Sequence, residues 1–342
     1  MIEYSVIVPV YNGVRVLPRC LLALTQQSID PARYEIIVVD DGSADETVAV
    51  AERLLVAHPH AHVIRAAHGG PAAARNAGAQ TAAGGVLLFT DADCEPAPDW
   101  IESLVRAFDD AGVVGVKGAY RTRQASLVAR FVQQEYQDKY DRMMRQSRID
   151  FIDTYSAAYR RDAFLAAGGF DTAYTTASVE DQELSFRLAA QGHRLVFVPD
   201  AIVYHQHDST PMEYLRRKYG IGYWKALLLR SHPDKAVRDS HTPQVIKAQM
   251  GLLAVAISVS VLTVFVRGLA GWLVGWLVGS WLLLFATMLP MLLKIARRDP
   301  AVVWIAPGMI VLRALGLGIG LLLGMIRFSL RSAPARASDA RY

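Results

Sequence analysis

Short β-branched runs alternate with amphipathic stretches over the first hundred residues. Ser5-Val6-Ile7-Val8-Pro9-Val10 ends in Tyr11-Asn12-Gly13 and reads as a buried strand and turn. Val16 to Gln27 has helical spacing, with Leu17, Leu21 and Leu24 on one face. Glu35-Ile36-Ile37-Val38-Val39 reads as a second buried strand, broken by Asp40-Asp41-Gly42-Ser43. Ser43 and Glu46, three apart, predict a capping box for the next helix. A strand at His62-Val63-Ile64-Arg65, a helix from Pro71 to Thr81, a strand at Val86 to Thr90 and a helix from Pro98 to Ala111 continue the pattern. This alternation predicts an α/β fold with a doubly wound, mostly parallel sheet. Ligands of such a sheet sit beyond the carboxyl ends of its strands.

The pattern then changes. An amphipathic helix is predicted from Ser126 to Met144, a short strand near Phe151 to Thr154, a helix over Glu180 to Gln191 and a strand at Leu195 to Val198. Residues 248–266, 269–293 and 301–326 are apolar, each near the roughly 20 residues that a membrane-spanning helix needs. The expected organisation is a first domain at 1–211, a basic juxtamembrane linker at 212–247, a transmembrane region at 248–327 and a basic tail at 328–342.

Composition sharpens this division. The chain is 52% hydrophobic with a net charge of +4. Residues 1–211 carry about −8 and the remainder about +12, so the positive charge stands beside the apolar segments. Attraction to anionic lipid and retention in the cytosol explain it better than nucleic acid, which is excluded as a partner. Cys20 and Cys94 are too few and too far apart for a disulfide framework or a zinc site. The Met1-Ile2-Glu3-Tyr4 start lacks a signal-like flank, so the expectation is a multi-pass protein of the inner membrane with its first domain in the cytoplasm. Arg267 would then lie in an outer turn, with Lys294, Arg297 and Arg298 in an inner loop. A third full span would carry Arg313 in the hydrocarbon and place Arg327, Arg331, Arg336 and Arg341 outside, so of three expected membrane segments the third is read either as a full span or as lying partly in the interface. Its glycines at 316, 318, 320 and 324 predict close helix packing.

Several polar clusters fall at predicted strand ends. Asp91-Ala92-Asp93 sets two carboxylates one residue apart, a hard oxygen site suited to magnesium or manganese and able to share a substrate diphosphate. Asp40-Asp41 exceeds what a helix cap requires. Arg75 can meet a phosphate or pair with one of the acids. Glu180-Asp181 is favoured at a helix start by the dipole, and can equally supply a general base. His205 and His207 are each candidates for a further metal ligand or for a plain surface pair. His58, His60, His62 and His68 read as an ordinary loop and strand entrance.

Taken in order, these stretches resemble family 2 of the glycosyltransferases, with the GT-A fold. The resemblance covers residues 4 to 210 and rests on Ser5 to Asn12, Val39 to Ser43, Gly70-Pro71-Ala72-Ala73-Ala74-Arg75-Asn76-Ala77-Gly78, Asp91-Ala92-Asp93, Gly168-Gly169-Phe170-Asp171 and Glu180-Asp181-Gln182-Glu183-Leu184. It implies that Pro9, Tyr11, Asp40, Asp41, Arg75 and Asp91 hold a nucleotide sugar, with uridine the family's commonest base. It implies a divalent cation, Mn or Mg, on Asp93 and His205, and catalysis by Asp181, beside Glu180, as base of an inverting transfer. The implied function is transfer of one sugar to a lipid-linked or glycan acceptor at the membrane. Processive polysaccharide synthases of the family place Gln-x-x-Arg-Trp before their channel helices. Here Leu215-Arg216-Arg217-Lys218-Tyr219-Gly220 stands instead. A processive synthase, and a catalytically inactive nucleotide-sugar-binding membrane subunit, are the alternatives.

Overall fold

The computed structural model describes residues 1–176, 178–236, 242–265 and 270–329. They divide into two units. The first comprises Met1–Thr210 and Ile295–Ile305 among the described residues. It holds one eight-stranded sheet made of β1 (Tyr4–Val10), β2 (Tyr34–Asp40), β3 (Ala61–Arg65), β4 (Val86–Phe89), β5 (Cys94–Pro96), β6 (Val113–Arg121), β7 (Ala157–Arg160) and β8 (Arg194–His205). Its helices are α1 (Leu17–Leu24), α2 (Thr47–Leu55), α3 (Pro71–Thr81), α4 (Trp100–Val105), α5 (Leu127–Met143), α6 (Arg161–Ala166) and α7 (Glu180–Ala190).

The strand order is β3-β2-β1-β4-β7-β6-β8-β5. The β3-β2-β1-β4 half is parallel throughout, as the alternation of strands and helices predicts. Beyond it β7 runs antiparallel to both β4 and β6, β6 and β8 are parallel, and β5 closes the edge antiparallel to β8. Both faces are covered. Val6, Val8, Ile36 and Val38 enter one apolar core with α1 and α4, while Ile7, Ile37, Val39 and Phe89 enter a second with α3 and α6. Burial on both faces is why these strands read as unbroken apolar runs.

Four local expectations are corrected. The capping box does not form, because the Ser43 hydroxyl accepts the Asn12 N–H at 2.8 Å. Helix α2 begins only at Thr47, whose N–H donates to Asp45 at 3.0 Å. No strand forms over 151–154; a 3-10 turn at Thr154–Ser156 leads into β7. Strand β8 does not stop near residue 199 but continues to His205, held by pairing to β5 and β6. The stretch read as a linker contains a 21-residue helix, α8 (Pro211–Ser231).

The second unit is built from α8, α9 (Gln244–Phe265), α10 (Ala270–Arg298, whose last turn belongs to the first unit) and α11 (Ala306–Ser329). Gln244–Thr263, Trp272–Arg298 and Ala306–Ser329 are long and apolar enough to cross a membrane. Arg267 and the tail residues Arg331, Arg336 and Arg341 lie outside the described residues. Three of the four glycines expected to pack closely, Gly316, Gly320 and Gly324, do so, whereas a Cβ at Gly318 would meet nothing within 4 Å. A Cβ at Gly320 would stand 2.2 Å from Tyr219 O, and one at Gly324 2.3 Å from Tyr223 O. Leu215 is likewise opposite Gly316. The contacts advance four residues at a time on each helix, so α8 and α11 run parallel at a separation that only glycine permits.

Candidate active site

Parallel pairing of β1 with β2 and β4 brings their carboxyl ends side by side. Pro9 lies near the end of β1, and Tyr11 just beyond it is half exposed. Its ring lies 4.5 Å from that of His68. Asp40, at the end of β2, is buried and accepts the Ser43 N–H at 3.2 Å. Asp41 is also buried. It accepts the N–H groups of Gly69 and Gly70 at 2.8 and 3.0 Å, and His68 Nδ1 lies 3.0 Å from its carboxylate. Asp41 therefore shapes the loop before α3 and aims the exposed His68 ring at Tyr11. Gly70 adopts φ +85°, and a Cβ there would stand 2.7 Å from Thr175 O, so this bend requires glycine.

Arg75 on α3 is 2% exposed. Its Nη2 donates to Asp91 at 2.7 Å and its Nη1 to Glu180 at 2.9 Å. Pairing with acids, the other role open to it, is what the structure displays. The neighbouring Asn76 accepts the Phe170 N–H at 2.9 Å and donates to Phe170 O at 2.8 Å. Gly169, at φ +69°, leaves room for that side chain. Consecutive residues of α3 thus fix both the strand end at Asp91 and the segment leading to α7.

Asp93 just before β5 and His205 at the end of β8 come together where these strands pair, Nε2 lying 3.1 Å from Oδ2. The His205 ring stacks on Tyr120 at 4.8 Å. His207, the other candidate, is buried against Gln133 and stacked on Tyr136, so it serves packing. Glu180 is buried, bonded to Arg75 and to the Ser178 N–H at 2.8 Å. Asp181 follows on the first turn of α7. Burial, reinforced by the adjacent Glu180, raises its carboxyl to about 7. A carboxylate so poised can take a proton near neutral pH.

Residues 5–166 match the profile of glycosyl transferase family 2, and residues 86–297 that of glycosyl transferase family group 2. The chain belongs to the family 2 glycosyltransferases. It is 29% identical to glycosyltransferase AglE of Haloferax volcanii, over 64% of this chain and 71% of that one. It is 31% identical to the pre-mycofactocin glycosyltransferase of Mycobacterium tuberculosis, over 68% of this chain but only 49% of that relative. Among solved structures, the mannosyltransferase PcManGT of Pyrobaculum calidifontis, in complex with GDP-Man and Mn2+, aligns with a TM-score of 0.58 at 19% identity, covering 92% of this chain and 86% of that one. That likeness establishes the GT-A fold.

For a family 2 glycosyltransferase the question of a cation turns on Asp93 and His205. Among the described residues no three His, Cys, Asp or Glu side chains are gathered for a metal ion. The pair still fits one. Ligands at right angles on an octahedral cation with bonds of about 2.1 Å stand about 3 Å apart, close to the Asp93–His205 separation. Water and substrate oxygens would complete such a shell. Sequence reasoning missed His68, dismissed as a loop residue, and the buried trio Lys117, Lys139 and Asp153. Neither lies in a spaced motif, and only the folded chain brings them to their partners.

Proposed function

We propose that this glycosyltransferase moves one sugar from a nucleotide-diphosphate donor to a lipid-linked or glycan acceptor, with inversion at the anomeric carbon. The observation that carries the reading is the Arg75 bridge. By bonding Asp91 and Glu180 together, it joins the Asp91–Asp93 turn to the first turn of α7 and makes them one site. Tyr11 and His68 offer ring surfaces to the nucleotide base, and Asp91, partly exposed beside Arg75, faces the ribose. Asp93 and His205 would hold Mn or Mg, which when bound offsets the charge growing on the leaving diphosphate.

Asp181 takes the proton of the acceptor hydroxyl as that oxygen attacks the anomeric carbon. The bond from this carbon to the diphosphate breaks on the opposite face, and nucleoside diphosphate leaves. A single displacement needs no second carboxylate as nucleophile. Three helices of spanning length favour a membrane-anchored enzyme, and the basic residues Lys294, Arg297 and Arg298 favour a cytoplasmic first domain at the inner membrane. The acceptor is then one presented at that surface.

The test uses purified full-length protein in detergent with a panel of UDP- and GDP-sugars, reading nucleoside diphosphate release. Asp93→Ala is expected to abolish release and donor binding together. Full activity in excess chelator, or near-normal turnover by the variant, would refute the metal-dependent reading.

A further inference from the structure

Beneath the first turn of α7 lies a polar cluster that the reaction above does not use. Lys117 on β6 is fully buried and Lys139 on α5 is 6% exposed. Both bond one carboxylate, Asp153: Lys117 directly, and Lys139 with its Nζ 3.3 Å from each oxygen. Lys117 also donates to Tyr155 Oη at 2.8 Å, and Lys139 lies 4.8 Å from the ring centres of Tyr136 and Phe151. Replacing a buried ionic group of this kind by apolar residues of the same volume is often neutral or stabilising. Its retention in the core calls for another role.

The cluster is tied to the base through the backbone. The Ile152 N–H, next to Asp153, donates to Ser185 Oγ at 3.0 Å, and Ser185 Oγ donates to Asp181 O at 2.7 Å. Five groups face Asp181 electrostatically: Glu180 on its own helix, Arg75 from α3, Lys139 from α5, Lys117 from β6 and Tyr159 from β7. Glu180 opposes its ionisation. Arg75 favours it but is already committed to Asp91 and Glu180. Burial, with Lys139 next in weight, lowers the Lys117 ammonium from its ordinary value, and the Lys139 charge favours the ionised form of Asp181. We propose that the Lys117–Asp153–Lys139 cluster is a positioning device for the base, in which Lys139 supplies the positive charge that keeps Asp181 ionisable beside Glu180. This rests on the reading of Asp181 as the base.

The experiment is the pH profile of kcat/KM for the nucleotide sugar, measured on the full chain for wild type, Lys139→Met, Lys139→Arg and Asp153→Asn. Loss of a cation near an acid raises its pKa, and loss of an anion lowers it. Lys139→Met should therefore move the acid limb upward by about 0.5–1 pH unit, and Asp153→Asn should move it downward. Lys139→Arg should leave it in place, and donor KM should hold within about twofold. Opposite shifts are not produced by loosened packing. An unmoved limb, shifts of one sign, or a rise in donor KM alone would overturn the proposal. Should Lys139→Met fail to fold, Asp153→Asn against Lys139→Arg decides by the same criterion. Asp181→Asn separates the two readings: undiminished turnover defeats the base assignment, whereas lost turnover with unmoved limbs defeats only the role of the cluster.

Discussion

Among the described residues each unit buries one arginine, and the two are housed by different means. Arg75 in the first unit is 2% exposed and donates to two carboxylates. Burial works against its charge, and Asp91 with Glu180 more than restores it, holding the guanidinium above its ordinary range. Arg313 on α11, 5% exposed, donates to the neutral amide oxygen of Gln249 at 2.9 Å and approaches the Met291 sulfur at 3.9 Å. Gln249 in turn donates to Thr287 O at 3.4 Å, so this contact links α9, α10 and α11. In the first unit charge meets charge and organises acids at a reacting centre. In the second, the guanidinium reaches an amide oxygen on a neighbouring apolar helix.

Removing Arg75 is the severest way to break the comparison. Arg75→Ala leaves Glu180 buried without its cation, and uncompensated buried charges cost about 3–5 kcal/mol. Thermal unfolding of the purified protein should register that loss, with turnover abolished. Arg75→Lys should rescue little, since one ammonium cannot fork to two carboxylates as a guanidinium does. A change in stability below about 1 kcal/mol would mean that Arg75 is not the joint between the two halves of the site.

Asp181→Asn sharpens the same contrast, because it separates function from stability. Turnover should fall by about 10²–10⁴ while donor binding persists. Wild-type activity should rise with pH through about 7, the value to which burial and Glu180 lift this carboxyl. Stability runs the other way. With the folded value raised above the unfolded one, the native state loses stability as pH climbs from about 4 to about 7 and then levels. The Asn variant lacks this term, so its melting temperature should match wild type near pH 4 and exceed it above pH 7. Product configuration is the remaining measurement, and retention would refute a single displacement.

Much of the fold was legible because one-dimensional pattern and burial coincide there. The apolar runs at β1, β2 and β4 are buried on both faces, and the acids that interrupt them fall where the parallel strands end. The glycine spacing of α11 was likewise legible, since a helix fixes which residues share a face. Strand order and the antiparallel β7 were not, because β7 pairs with β4 across about seventy residues of intervening chain. The site was half legible. Asp93 and His205 do meet, but only because β8 runs on past the expected end at Val198 to His205. Arg75 offered two readings in sequence, and its pairing with two acids is the one the fold displays. Lys117 and Asp153 sit in ordinary-looking stretches; their pairing is a long-range event that no spacing announces.

The smallest expected effect completes the comparison at Arg313. Arg313→Leu removes a charge from among helices long and apolar enough to span a membrane, where a cation at the centre costs about 2.5–3.5 kcal/mol. Against that gain stands the hydrogen bond to Gln249, and such bonds between membrane helices average about 0.6 kcal/mol. Gln249 retains Thr287 as a partner, so the amide is not stranded. The two terms differ in sign, and because Arg313 is already buried against protein its desolvation is partly met. The net change should therefore lie within about 1 kcal/mol of wild type, several-fold below that of Arg75→Ala. Unfolding of both variants in one detergent gives the ratio directly. A loss at Arg313 as large as that at Arg75 would show that the second unit depends equally on its buried arginine, and the distinction between the two would fall.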